Sequence, residues 1–203
     1  MKIRYLIVAG LVAALALFST SAADRKSAEY VNVYSGEIST LNYLVTGSTS
    51  DQEMAANMVD TLVEYDRYGI LKPALAKTWT VSPDGLVWTF SLKQGIKWVD
   101  SSGKEVAEVV AQDWVDAALY IMTKANASQI ADNITSVVKN GKDFFDGKLT
   151  DFAQVGVKAK DKYTLEYTLS RPVPYFLSML TYATFLPVNG AFLASKGSAF
   201  GTD

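Results

Sequence analysis

Residues 79–92 read Trp79-Thr80-Val81-Ser82-Pro83-Asp84-Gly85-Leu86-Val87-Trp88-Thr89-Phe90-Ser91-Leu92. Ser82-Pro83-Asp84-Gly85 is turn chemistry: proline presets φ, Asp bonds its own backbone, and Gly tolerates positive φ. Trp79–Val81 and Leu86–Leu92 are then the two arms of a β-hairpin. In the second arm Trp88, Phe90 and Leu92 fall on one face, and Val87, Thr89 and Ser91 on the other.

Working outward, residues 163–169 (Tyr163-Thr164-Leu165-Glu166-Tyr167-Thr168-Leu169) alternate as cleanly and predict a strand, stopped by Arg171-Pro172-Val173-Pro174. Residues 95–99 predict another extended piece before the turn at 100–103. Residues 111–123 carry Trp114, Ala117, Ala118, Ile121 and Met122 at helical spacing. Ser50-Asp51-Gln52-Glu53 fits a capping box and predicts a helix over about 51–64. A short helix is expected from Pro73 to Trp79, with Pro in its first turn. Further helices are expected over 126–139, 142–148, 174–180 and 188–194, and a strand at Tyr30–Tyr34. The fold class is mixed α/β (α+β), with hairpins and helices interleaved rather than in regular βαβ alternation. The end, Gly201-Thr202-Asp203, has neither strand nor helix pattern, so further sequence is expected to follow.

The 203 residues contain no Cys and no His, with 19 Lys+Arg against 21 Asp+Glu. No Cys excludes disulfides, thiolate nucleophiles and Cys-held metal clusters. No His excludes a Ser-His-Asp triad and imidazole ligation. The slight acidity lacks the basic excess of a nucleic-acid binder. Neither phosphate-loop pattern occurs, and Asp143-Phe144-Phe145-Asp146-Gly147 has the wrong residues for a calcium loop. Carboxylate chemistry survives this filter, with Asp84 and Asp100 as one conceivable pair of a secreted hydrolase; so does a non-catalytic structural or adhesion module. Asp113 and Asp116 read as cap and surface residues at a helix start. Trp88 and Trp114 read as core, and Trp98 stays open.

Lys2 and Arg4, the uncharged run Tyr5–Phe18 and the small residues Ser19–Ala23 form the pattern of a secretory leader, expected over residues 1–23 with cleavage before Asp24. The apolar run falls short of the roughly 20 residues of a spanning helix. No Cys stands after it to carry a lipid anchor.

Taken together, Pro73-Ala74-Leu75-Ala76 with Trp79, Ser82 with Asp84-Gly85, the run Trp88-Thr89-Phe90 to Leu92-Lys93, Gly95-Ile96-Lys97-Trp98 and Ala111-Gln112-Asp113-Trp114-Val115 resemble the extracellular solute-binding proteins of family 5, the oligopeptide-binding group of peptide ABC transporters. Val155-Gly156-Val157-Lys158-Ala159, Tyr163-Thr164-Leu165-Glu166 and Pro172-Val173-Pro174-Tyr175-Phe176 agree, as does Ser35–Asn42. Asn42 stands where the family usually has Asp, and Ile130 where some relatives place an aromatic lining the cleft.

The resemblance implies a type II periplasmic-binding-protein-like fold of two lobes around a cleft, here incomplete. Residues 24–44 would open lobe I, 45–187 would form an inserted small domain, and 188–203 would return to lobe I. It implies an exported, monomeric protein of the periplasm or outer face of the membrane. Such a protein would capture oligopeptides and pass them to membrane permease subunits, with no catalysis, no cofactor and no nucleic acid. Ligand-binding residues carried over are Thr46, Gly47, Ser48 and Thr49, with Ile130 opposite. Glycine and small hydroxyl residues let a second backbone come close and pair.

Overall fold

The computed structural model describes residues 36–202. The leader at 1–23 and the strand expected at Tyr30–Tyr34 lie outside the described residues. The hairpin at 79–92 is present. Strand β3 (Ala76–Val81) pairs antiparallel with β4 (Val87–Leu92), with Trp79 opposite Phe90. Gly85 takes φ 71° and its N–H donates to the Ser82 carbonyl at 2.8 Å, closing the turn.

The hairpin's partner is the strand read at 163–169. β8 (Thr164–Thr168) lies against β4, and β7 (Val157–Asp161) against β8, giving a four-stranded antiparallel sheet in the order β3-β4-β8-β7. Two short hairpins flank it: β1 (Val63–Tyr65) with β2 (Leu71–Pro73), and β5 (Lys97–Val99) with β6 (Glu105–Glu108).

The face bearing Trp88 and Phe90 is covered by aromatic rings. Trp88 and Phe90 of β4 and Tyr167 of β8 meet Phe176 and Phe185, with Tyr167–Phe176 centroids 5.5 Å apart and Phe176–Phe185 5.9 Å apart at 89°. Edge-to-face geometry of this kind suits the ring quadrupoles. Helix α2 (Gln112–Met122) buries Trp114, Ala117, Ala118, Ile121 and Met122, the stripe read from its spacing, and packs on β7. Trp114 is 1% exposed, and its Nε1–H donates to the Phe185 carbonyl at 3.0 Å.

The remaining helices are short. They are α1 (Thr49–Ala56), α3 (Ala131–Thr135), α4 (Gly141–Phe145), α5 (Phe176–Met179) and α6 (Gly190–Lys196). Four expectations need correction. The helix expected over 51–64 stops at Ala56 and gives way to a turn, and Val63 at its expected end belongs to the β1–β2 ladder. The segment from Pro73 to Trp79 is not helical: Pro73 ends β2, 74–75 bend, and Ala76–Val81 pairs with the β4 edge. The helix expected over 126–139 shrinks to Ala131–Thr135; Val138 instead bridges Leu169, and Ser170 N–H reaches the Val137 carbonyl. The capping box at Ser50–Glu53 does not form: Ser48 is the N-cap, with no side-chain cap bond, and Ser50 is buried inside the helix.

Asp113 is a cap residue as read, but it is not at the surface. It is 7% exposed and accepts from Trp98 Nε1 at 2.8 Å and from Val110 N–H at 3.0 Å. Burial pushes its carboxyl up, opposed by those two donors. Trp98 is thereby settled as a structural donor. Glu108, at the end of β6, accepts from Lys162 Nζ at 2.8 Å, Tyr163 Oη at 2.7 Å and Gly95 N–H at 3.1 Å. These partners, Lys162 first, hold its carboxyl at about 2.

Candidate functional site

The segment 42–48 is a loop whose backbone groups are almost all engaged. Asn42 starts it with an Asx turn, its Oδ1 accepting from Leu44 N–H at 3.2 Å while its Nδ2 donates to Tyr120 Oη at 3.2 Å. An Asp here could keep the turn but could not donate to Tyr120. The Leu44 carbonyl accepts from Ser128 Oγ at 2.7 Å, and the Val45 carbonyl from Gln129 N–H at 2.9 Å. The loop therefore runs beside residues 128–129.

Its polar side chains converge on one carboxylate. Asp51, in the first turn of α1 and 2% exposed, accepts from Ser39 Oγ at 2.6 Å, Thr46 Oγ1 at 2.7 Å and Ser39 N–H at 2.8 Å. Thr46 Oγ1 in turn accepts from Ser48 N–H at 3.1 Å. The Ser39 hydroxyl, followed by the Thr46 hydroxyl, holds the Asp51 carboxyl below the usual carboxylate range.

A depressed native pKa stabilises the fold above the unfolded value of about 3.9, and that contribution is lost as pH falls through the native value. We expect Asp51→Ala to lower stability and to speed amide exchange at Gly47 and Ser48 at neutral pH. The gap between variant and parent should narrow below about pH 4. A gap in denaturant midpoint that stays constant down to strong acid would contradict this.

The five residues singled out in the sequence divide. Thr46 is buried and turned inward to Asp51; Gly47 and Thr49 are exposed; Ser48 is half-buried. Ile130 is 6% exposed and belongs to the hydrophobic core, as do Tyr43 and Leu44 of the loop. Its neighbour Gln129, which the sequence reading passed over, faces Gly47. Gln129 Oε1 accepts from Gly47 N–H at 3.1 Å.

Thr49 also stands on the rim of an open concavity of about 420 Å³. One wall is the α1 face bearing Thr49, Gln52, Glu53 and Ala56, which helical spacing puts on one side. Residues 59–65 and the turn 181–186 form the others, with Tyr65 and Tyr182 both more than half or half exposed (50% and 58%). The charged lining is acidic: Glu53, Asp60 and Glu64. No alternation or motif in the sequence marks this concavity, because its walls come from segments more than a hundred residues apart.

The Asp84 and Asp100 carboxylates are each engaged in their own turn. Asp84 accepts from the Ser82 hydroxyl and, at 3.1 Å, from Leu86 N–H within its own turn. Asp100 does the same with Ser102 Oγ at 2.6 Å and Lys104 N–H at 3.1 Å. Both carboxyls are held low by these hydroxyl and backbone donors. Among the described residues no cluster of three or more acidic side chains could hold a metal ion, and no helix is long and apolar enough to cross a membrane.

Comparison with known proteins agrees with this architecture. Residues 71–202 match the family described as bacterial extracellular solute-binding proteins, family 5 (middle region). The chain is 42% identical to the oligopeptide-binding protein AmiA of Streptococcus pneumoniae over 96% of this chain and 29% of that one. It is 39% identical to AliB of the same organism, over 98% of this chain and 31% of that one. Among solved structures, the substrate-binding domain of an oligopeptide ABC transporter from Bacillus anthracis superposes with TM-score 0.77 at 30% identity, covering 85% of this chain and 32% of that one. Listeria monocytogenes OppA bound to peptide superposes with TM-score 0.75 at 29% identity, covering 83% and 32%. The chain thus spans roughly a third or less of the length of these relatives. Matched by the family model over residues 71–202 and 42% identical to AmiA over 96% of its length, this chain belongs to the bacterial extracellular solute-binding proteins, family 5.

Proposed function

We propose that this chain supplies one wall of the ligand cleft in the substrate-binding component of a peptide ABC importer. The observation that carries the proposal is the 42–49 loop: a short, fixed stretch with a glycine at its exposed point, opening onto the concavity at Thr49. An extended ligand backbone can lie against such an edge and gain main-chain hydrogen bonds, while the concavity takes a side chain. Thr46 and Ile130 then act as supports, and Gly47, Ser48 and Thr49 as the contact edge.

The division into lobe I (24–44 and 188–203) and an inserted domain (45–187) is supported by the meeting of the two outer segments. Leu41 N–H donates to the Gly201 carbonyl at 2.9 Å, Thr40 Oγ1 to the same oxygen at 3.0 Å, and the Tyr43 and Phe200 rings lie 6.2 Å apart. The protein works outside the cytoplasmic membrane, as a monomer that delivers peptide to the permease subunits, and binds without catalysis or cofactor. Residues 1–23 serve as its export leader.

The test is calorimetry with a mixture of short synthetic peptides, on the complete product of the gene that carries this sequence and on the 203-residue chain. The complete product should bind peptide. The 203-residue chain should bind more weakly than micromolar, because enclosure between two walls is what buries a ligand. No peptide binding by the complete product would overturn the function, and micromolar or tighter binding by the 203-residue chain would overturn the two-wall argument.

A further inference from the structure

We propose that the Gln129 side chain is a placeholder for ligand main chain, occupying the Gly47 N–H until a bound peptide's carbonyl takes it over. The inference rests on the reading of 46–49 as the ligand-facing edge. Four observations lead to it.

Gln129 is fixed in register with the loop by its own backbone, since its N–H donates to the Val45 carbonyl at 2.9 Å. Its side chain is nonetheless exposed and folds back over the loop to accept from Gly47 N–H at 3.1 Å. Water could satisfy an exposed N–H, so burial does not demand this contact.

Glycine at 47 is not required by backbone conformation, because Gly47 is not among the residues with positive φ. What its missing side chain provides is room. A Cβ there would sit 2.8 Å from Gln129 Oε1 and 3.4 Å from Gln129 Cβ. The position is one where a second group approaches the backbone closely, and a side-chain amide now fills it.

A carboxamide is chemically a peptide unit, so its oxygen meets Gly47 N–H as a ligand carbonyl would in strand-type pairing. The neighbouring loop groups are committed to the protein. The Thr46 carbonyl accepts from Gln52 Nε2 at 3.2 Å, and the Val45 carbonyl from Gln129 N–H. Gly47 N–H is therefore the donor at the exposed point of the loop, and Gln129 covers it. Swinging an exposed, unbranched side chain aside disturbs no core packing.

Gln129→Ala removes the competitor and leaves the backbone contact to Val45. In the complete gene product, titrated by calorimetry with the same peptide mixture and then with a peptide retained from it, Q129A should bind about threefold to tenfold tighter than the parent, the range of one neutral hydrogen bond. Gly47 amide exchange in the ligand-free Q129A protein should be faster. Binding by Q129A alone, with none by the parent, also supports the placeholder. If the parent binds and Q129A binds equally or more weakly, Gln129 only braces the loop and the placeholder is wrong, while the peptide-binding reading stands. If neither protein binds, both readings fall.

Discussion

Replacing Trp114 by alanine should lower the melting temperature by about 6–20 °C. The indole is 1% exposed, lies on the buried stripe of α2, and bonds the Phe185 carbonyl at 3.0 Å. Truncating a buried Trp costs about 3–5 kcal/mol through lost transfer energy and the cavity left behind. For a domain of this size each kcal/mol shifts the midpoint by about 2–4 °C. Phe185 also belongs to the aromatic cluster with Phe176 and Tyr167, so the cavity opens beside the sheet's covered face. Trp114→Phe keeps a ring but orphans the carbonyl, and should cost roughly 1–3 kcal/mol. A W114A protein melting within about 2 °C of the parent would show that the site collapses without penalty.

The second large effect is expected at Gly156. Its N–H donates to the Lys139 carbonyl at 2.9 Å, and its carbonyl accepts from Thr168 N–H at 2.7 Å, while Lys139 N–H donates to the Thr168 carbonyl at 2.9 Å. Three separate segments are knotted here at the start of β7. A Cβ on residue 156 would overlap the Thr168 carbonyl oxygen and lie 3.1 Å from Lys139 Cβ. The obstacle is backbone, so no rotamer change relieves it. Gly156→Ala should cost about 2–4 kcal/mol through overpacking and a broken ladder bond. Gly36→Ala, with nothing within 4 Å of the new methyl, should stay within about 0.5 kcal/mol and serves as the comparison. Chemical denaturation of the three proteins decides the matter, and equal midpoints would refute the knot.

Much of the fold was legible because its signals are local. Ser82-Pro83-Asp84-Gly85 dictates a turn by its own backbone preferences, and strict alternation at 87–92 and 163–169 needs only the two-residue period of a strand. The α2 stripe was equally legible, since its spacing and its burial coincide. Where the reading failed, a partner distant in sequence overrode local preference. Pro73–Trp79 is a passable helix until β4 offers an edge to pair with. Val63 satisfies helical spacing, yet its pairing with Pro73 makes it strand.

The candidate site was less legible. The loop at 46–49 could be singled out by its glycine and hydroxyls, but its contact residue could not. Ile130 is buried in the core, and it is the exposed Gln129 beside it that bonds Gly47. One residue's shift along the chain exchanges core for surface, and the bonds from Ser128 Oγ to the Leu44 carbonyl and from Gln129 N–H to the Val45 carbonyl set that register.

The sequence by itself determined the class of the fold, the hairpin at its centre, the exclusion of thiol and imidazole chemistry, and the family. These depend on composition, short-range backbone preference and the order of motifs. The tertiary structure alone decided which carboxylates are structural, that Asp51 gathers Ser39 and Thr46, and that α1, residues 59–65 and the turn 181–186 border an open concavity. Those facts depend on where segments separated by up to a hundred residues or more come to rest. That placement is fixed by burial of the common core, which no local window of sequence contains.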